Sequence, residues 1–321
     1  MMKRIAVLTS GGDAPGMNAA IRAVVRTALG RGATVAGYRH GFDGLLDGEF
    51  VEMDSVQVGG IISRGGTVLR SGRCKRFLEP SQRKLAIDGM AAAGVEGLVV
   101  IGGDGSLTGA HLLATEHGFP IYGIPGSIDN DIFGTDPSIG FDTAINTALD
   151  AIDRVRDTAY SHDRVFVIEV MGRKHGFIAL EAGLAGGAEA ILIPEIPFSL
   201  QEVCNRLDAG TGRGKKSSII VVAEGAGKAN DISAFIQKHS GYESRELVLG
   251  HMQRGGNPTA FDRVLATRIG AYAATRLLNG HADEMAGFMG QKMVATPLAT
   301  VLSSEQKIDP EKLLLAEVMA Q

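Results

Sequence analysis

The stretch PGSIDNDI, residues 125–132, sets Asp129 and Asp131 on either side of Asn130. Two carboxylates this close repel, and an unbalanced pair in a cleft would have one pKa pushed up sharply. If the segment is extended, alternate side chains share a face. One acid could then take a proton from a hydroxyl while the other faces a metal, the pairing that phosphoryl transfer needs. An Asx turn, in which Asp and Asn bond their own backbone, accounts for the same letters.

A third acid, Asp104, lies in VVIGGDGSLTGA among Gly102, Gly103 and Gly105, with Ser106 placed to cap the next helix. Glycines let backbone N–H groups face phosphate oxygens. An acid among them repels phosphate unless a cation intervenes, and Mg²⁺ prefers one or two carboxylates completed by waters and phosphates. The plainer reading is a turn or capping aspartate. In TSGGDAPGMNAAIR, Gly11 and Gly12 end a strand and a helix starts near Gly16. Free N–H groups at a helix start suit phosphate, although an ordinary strand-to-helix turn also needs glycine. The spacing is neither a Walker A loop nor G-x-G-x-x-G, so neither nucleotide class is supported by it.

Cations recur beside small residues: Arg73, Lys75 and Arg76 in SGRCKRF, Arg164 in SHDRVF, Arg173 in MGRKHG, and Arg245, His251 and Arg254 in SRELVLGHMQRGGNP. Guanidinium forks match phosphate oxygens. Any one arginine reads as a solvated charge; several at strand ends in a chain of net charge −4 are less easily dismissed as such. His251 alone reads as a structural hydrogen-bonder. Glu224, in VVAEGAG, either binds sugar hydroxyls or caps the following helix.

These residues need a scaffold. Continuous Val/Ile runs at 4–10, 97–103, 164–172 and 217–225 each precede a helical pattern. That alternation predicts an α/β fold of parallel sheets covered by helices, with ligands beyond the carboxyl ends of the strands. At 321 residues the prior is two lobes, with a crossing in NDIFGTDPSIGFDTA and another near 251–257. The chain is 45% hydrophobic and 21% charged, enough to bury a sizeable core. Its net charge argues against nucleic acid or an anionic membrane as partner. No run reaches the roughly 18 apolar residues of a membrane span, and the N-terminal run reads as a buried strand rather than a signal peptide. Cys74 and Cys204 are too few for a disulfide framework, which fits a reducing cytoplasm.

Taken together, LTSGGDAPGMNAAIR, VVIGGDGS, PGSIDNDI, VIEVMGR and LGHMQRGG, in this order and spacing, closely resemble the bacterial ATP-dependent 6-phosphofructokinases, from about residue 3 to 275. The resemblance implies transfer of the ATP γ-phosphoryl group to the 1-hydroxyl of fructose 6-phosphate. It implies the two-lobed phosphofructokinase fold, with a nucleotide lobe of 1–138 and 252–305 and a sugar-phosphate lobe of 139–251 and 306–321. By position, Asp129 is the implied general base. Ser127 replaces a more usual threonine, keeping the hydroxyl, and Asp131 lies near metal and phosphates. Asp104 matches the Mg²⁺-associated acid. Gly12, Gly103, Gly105 and Ser106, with Arg73 and Cys74, match the ATP site; Arg73 and Arg173 match the arginines that neutralise the moving phosphoryl group. The implied sugar-phosphate set is Ser127, Ile128, Asp129, Met171, Gly172, Arg173, Glu224, His251, Met252, Gln253 and Arg254. Arg164 and Arg245 match arginines that grip the 6-phosphate in a neighbouring subunit, which implies a homo-oligomer, a tetramer in the family. Under this reading Mg²⁺, Arg73 and Arg173 balance the two aspartates.

Three departures bear on the expectation. Cys74 stands where an aromatic residue often faces adenine. The wording R-C-K resembles the pyrophosphate-using branch, but Gly105 and Gly126 replace the aspartate and lysine typical of that branch, which favours ATP. The implied effector set is Arg22, Arg26, Arg156, Gly187, Glu189, Arg213, Lys215, Lys216 and Ser217. Ser55 and Val56 stand where strongly regulated relatives carry arginine and tyrosine, so control by ADP or phosphoenolpyruvate is not expected to follow the family pattern.

Overall fold

The structure is a computed structural model describing residues 2–162 and 164–319. Two compact units divide the chain, Met1–Asp142 with Arg254–Gln306 and Thr143–Gln253 with Lys307–Gln321.

In the first unit the order is β1 (Arg4–Ser10), α1 (Met17–Gly30), β2 (Thr34–Tyr38), α2 (Phe42–Asp47), β3 (Phe50–Met53), α3 (Pro80–Ala92), β4 (Gly97–Gly102), α4 (Asp104–His117) and β5 (Ile121–Pro125). α5 (Phe141–His162) carries the chain into the second unit. There follow β6 (Val165–Val170), α6 (Phe177–Ala185), β7 (Ala190–Leu192), α7 (Leu200–Gly212), β8 (Ser218–Ala223), α8 (Ala229–Ser240) and β9 (Ser244–Val248). The chain returns through α9 (Ala260–Leu278), β10 (Glu284–Met289), β11 (Lys292–Pro297) and α10 (Leu298–Ser303), and ends with α11 (Pro310–Met319) in the second unit.

The first unit holds a seven-stranded sheet in the order β11-β10-β5-β4-β1-β2-β3, the second a four-stranded sheet in the order β7-β8-β6-β9. The α/β alternation in the sequence becomes parallel pairing through β10-β5-β4-β1-β2 and throughout the smaller sheet. Antiparallel β3 and β11 close the edges of the larger one. β4 and β8 are buried along their whole length, which is why they are apolar runs without alternation. Leu8, Leu98, Val100, Leu107 and Leu113 pack in the first unit's core, and Val167, Leu192, Ile220 and Ile232 in the second's.

Two local expectations are corrected. Ser106 does not cap α4. The helix already begins at Asp104 with Gly103 as its N-cap, and Ser106 is buried inside it. Nor is the Asp129–Asp131 segment extended. Asn130 sits in the left-handed region at φ 53, so the alternation expected of a strand does not apply.

Candidate active site

Three loops of the first unit leave the carboxyl ends of adjacent parallel strands. Gly11 and Gly12 follow β1, Gly103 to Ser106 follow β4, and Ser127 to Asp131 follow β5. The adjacency β5-β4-β1 is what brings them to one rim. Gly126 N–H donates to the Gly102 carbonyl at 2.9 Å, tying two of the loops together. The segment bearing Arg73 and Cys74 is strapped to the third: Gly11 N–H donates to Gly72 O at 3.1 Å and Ser71 Oγ to Gly11 O at 2.9 Å.

Asp129 is buried at 2% exposure, while Asp131 is half-buried. A short network shapes their turn. The Asp129 N–H donates to Ser127 Oγ at 3.2 Å, and Ser127 Oγ donates to Asp131 Oδ1 at 3.3 Å. Asn130 Oδ1 accepts from Ser138 N–H at 2.7 Å, and its amide donates to Asp136 O at 3.0 Å. These bonds hold Asn130 in its costly backbone conformation. Ile128 is fully buried.

Asp104 is exposed in the first turn of α4, where a carboxylate also suits the helix dipole. Among the described residues no group of three or more acids, histidines and cysteines gathers as a metal cage. A carboxylate in the first turn of a helix suits Mg²⁺ held chiefly by a nucleotide's own phosphates. A side chain built at Gly105 would meet nothing, whereas one at Gly126 would lie 3.0 Å from Met17 Cε.

Arg73 is exposed, and Cys74 is half-buried with its Sγ donating to Asp43 Oδ1 at 3.0 Å. Burial, then that bond, pushes the Cys74 thiol up to about 11. Arg76 is committed elsewhere: its Nη2 reaches Asp43 at 2.8 Å and Asp47 at 2.9 Å, and the contact pulls the Asp47 carboxyl below its usual range. Arg254 joins this unit, donating to Asp13 O at 3.1 Å. A Cβ at Gly12 would collide with the Arg254 guanidinium, so glycine there lets the arginine pass.

The second unit repeats the layout. Met171, Gly172 and Arg173 follow β6, Glu224 and Gly225 follow β8, and the 3₁₀ turn Gly250–Arg254 follows β9, in the strand order β8-β6-β9. Met171 N–H donates to the fully buried Gln253 at 2.8 Å, fixing the β6 exit; His251 and Met252 are exposed on the same turn. Arg173 has a left-handed φ of 54, and its N–H donates to Glu224 Oε1 at 2.9 Å. Glu224 therefore orients the arginine loop and does not cap α8. The cap comes from Glu169, which accepts from Ala229 N–H at 2.9 Å and pairs with Lys228 at 3.0 Å. A Cβ at Gly225 would collide with the Arg173 carbonyl.

Arg164 and Arg245 lie at the opposite edge of this sheet, at the amino ends of β6 and β9. Six strand residues separate Arg164 from Met171, seven rises or about 23 Å at ~3.3 Å per residue. Both arginines reach one acid that sequence reasoning missed, Glu243, at 2.9 and 2.5 Å. The nearest local cue is the run E-S-R, whose Ser244 and Arg245 open β9.

The effector candidates are divided. Arg22 and Arg26 lie on α1 in the first unit. In the second, Arg156 donates to Gly187 O at 3.0 Å, and buried Glu189 pairs with Lys215 at 2.5 Å while accepting from Ile219 N–H. Arg213 and Lys216 are exposed and Ser217 is half-buried.

A family model described as Phosphofructokinase matches residues 4–277. The chain belongs to the phosphofructokinase family. It is 52% identical over 319 residues to an ATP-dependent 6-phosphofructokinase of Thermotoga neapolitana, and 54% identical over 321 residues to ATP-dependent 6-phosphofructokinase 1 of Thermus thermophilus. Each alignment covers 99% of this chain and the whole relative. Among solved phosphofructokinases, that of Saccharomyces cerevisiae superposes at TM-score 0.88 with 38% identity over 94% of this chain, which spans 45% of the yeast chain. A pyrophosphate-dependent phosphofructokinase of Marinobacter aquaeolei superposes at 0.86 with 26% identity, covering 96% of this chain and 86% of its own.

Proposed function

We propose that this chain transfers the γ-phosphoryl group of ATP to the 1-hydroxyl of fructose 6-phosphate, giving fructose 1,6-bisphosphate and ADP. The end-to-end identity with ATP-dependent relatives carries the reading. Identity to the pyrophosphate-using relative is about half as high, and open space at Gly105 supports a nucleotide donor.

In this reading Gly12, Arg73, Cys74, Gly103, Gly105 and Ser106 of the first unit hold the nucleotide, and Met171, Gly172, Arg173 and Glu224 of the second hold the sugar phosphate. Asp129 takes the proton of the 1-hydroxyl. Its burial sets it apart from bulk water, and Ser127 and Asn130 fix its turn. Arg73 and Arg173 face the charge of the moving phosphoryl group, the electrostatic part of such catalysis. Asp104 is the residue that would hold Mg²⁺, which when bound neutralises donor phosphate charge. Glu224 and Gln253 position Arg173 and Met171 through backbone bonds.

The distance of Arg164 and Arg245 from their own chain's Met171 and Arg173 supports a shared site, in which they bind the 6-phosphate at a neighbouring copy. The working form is then a homo-oligomer, a tetramer by family analogy. We assign it to the cytoplasm, where its two free cysteines stay reduced; among the described residues no helix is long and apolar enough to cross a membrane.

The test is an assay of fructose 1,6-bisphosphate formation with either donor. Turnover with ATP and Mg²⁺ and little with pyrophosphate is expected; turnover with pyrophosphate alone would overturn the donor assignment.

A further inference from the structure

At the amino edge of the smaller sheet, one carboxylate oxygen gathers two guanidinium groups. Glu243 Oε1 accepts from Arg164 Nη2 at 2.9 Å and from Arg245 Nη2 at 2.5 Å. The backbone builds this convergence. Val165 N–H donates to the Glu243 carbonyl at 3.0 Å, and the parallel register pairs Val165 with Ser244 and Phe166 with Arg245. Arg164 thus sits across from Glu243, and Arg245 lies two residues further along the same strand, on the same face. Two cations brought to one oxygen repel each other once its charge is removed. Each guanidinium has five N–H donors and spends one group on Glu243; Arg164 Nε has no hydrogen-bond partner among the described residues. The cluster keeps a net charge of +1 with donors to spare, the chemistry of a dianion receptor.

We propose that Glu243 is a positioning residue that presents Arg164 and Arg245 as a single fork to the 6-phosphate of the sugar bound at a neighbouring copy. The proposal rests on the reading of the two arginines as phosphate ligands. Glu243 itself touches no substrate; it sets the separation of the groups that do.

The test compares Glu243→Gln, Glu243→Asp and Arg245→Ala in the full-length enzyme, each checked for oligomer mass and thermal unfolding. Glu243→Gln should raise KM for fructose 6-phosphate about five- to tenfold, with kcat and KM for ATP within about twofold. Inhibition by fructose 1,6-bisphosphate, which carries the same 6-phosphate, should weaken in parallel, and Glu243→Asp should recover part of the loss. An unchanged or lowered KM for the sugar in Glu243→Gln, beside a raised KM in Arg245→Ala, would overturn the positioning role and leave the phosphate reading intact. An unchanged KM in Arg245→Ala would overturn the phosphate reading and the fork with it.

Discussion

Asp129 and Cys74 show how burial sets chemistry one residue at a time. Asp129 lies at the exit of a fully buried strand and is itself 2% exposed. As the proposed general base it would contribute ~10²–10⁴-fold. Cys74, the departure from the family pattern nearest the implied adenine position, is less reactive than a free thiol. Its pKa of about 11 keeps it protonated at neutral pH, and the thiolate is the reactive form. Burial raises the Cys204 thiol as well. At pH 7.5 the native protein should therefore gain no iodoacetamide adduct at either cysteine in an hour by mass spectrometry; prompt labelling of Cys74 would contradict the geometry. The sign for stability follows. Because the folded pKa lies above that of the unfolded thiol, the Cys74 contribution is complete below about pH 9 and is lost as pH rises towards 11.

At the scale of elements, the strands were legible because a doubly covered parallel strand must be apolar throughout, and the Val/Ile runs have no other simple use. The glycine-rich loops were legible for the complementary reason, since backbone has to turn where each strand ends. What escaped the sequence depends on partners far along the chain. Asn130 takes a positive φ because Asp136 and Ser138 hold its side chain, Glu224 bonds a backbone N–H 51 residues away, and Glu243 meets Arg164 through a strand pairing that no local pattern encodes. Removing the Asn130 side chain tests this. Asn130→Ala loses its bonds and disfavours the left-handed backbone, and should lower stability by about 2 kcal/mol and kcat with it. Asn130→Gly should recover part of the stability in thermal unfolding. A second element-scale case is Arg83, 4% exposed. It pairs with Glu116 at 2.6 Å and donates to the carbonyls of Phe77 and Leu78, each at 2.8 Å, anchoring the turn after Arg73 and Cys74. Arg83→Met should cost about 2–3 kcal/mol, below the ~3–5 kcal/mol of a fully buried broken pair because Glu116 is partly exposed. KM for ATP should rise as the turn loosens; an unchanged melting temperature would count against the anchor.

For the whole molecule, the two sheets each collect three loops at a carboxyl edge, and the smaller one also carries an arginine pair at its amino edge. In the proposed shared site, that second location would make the activity a property of an assembly. Asp129→Asn and Arg245→Ala oligomers should each be poor at low sugar concentration. Mixed oligomers should regain activity, because some sites take Asp129 from one copy and Arg245 from another, roughly a quarter of them under random pairing across a two-fold interface. No recovery in mixed oligomers verified by mass would contradict sharing.

The most direct measurement is the turnover of Asp129→Asn with ATP and fructose 6-phosphate, alongside its affinity for the sugar by equilibrium binding. The proposed base predicts a fall in kcat of ~10²–10⁴-fold with sugar affinity within about threefold of the parent. A variant that kept more than about a tenth of the parent kcat would contradict it.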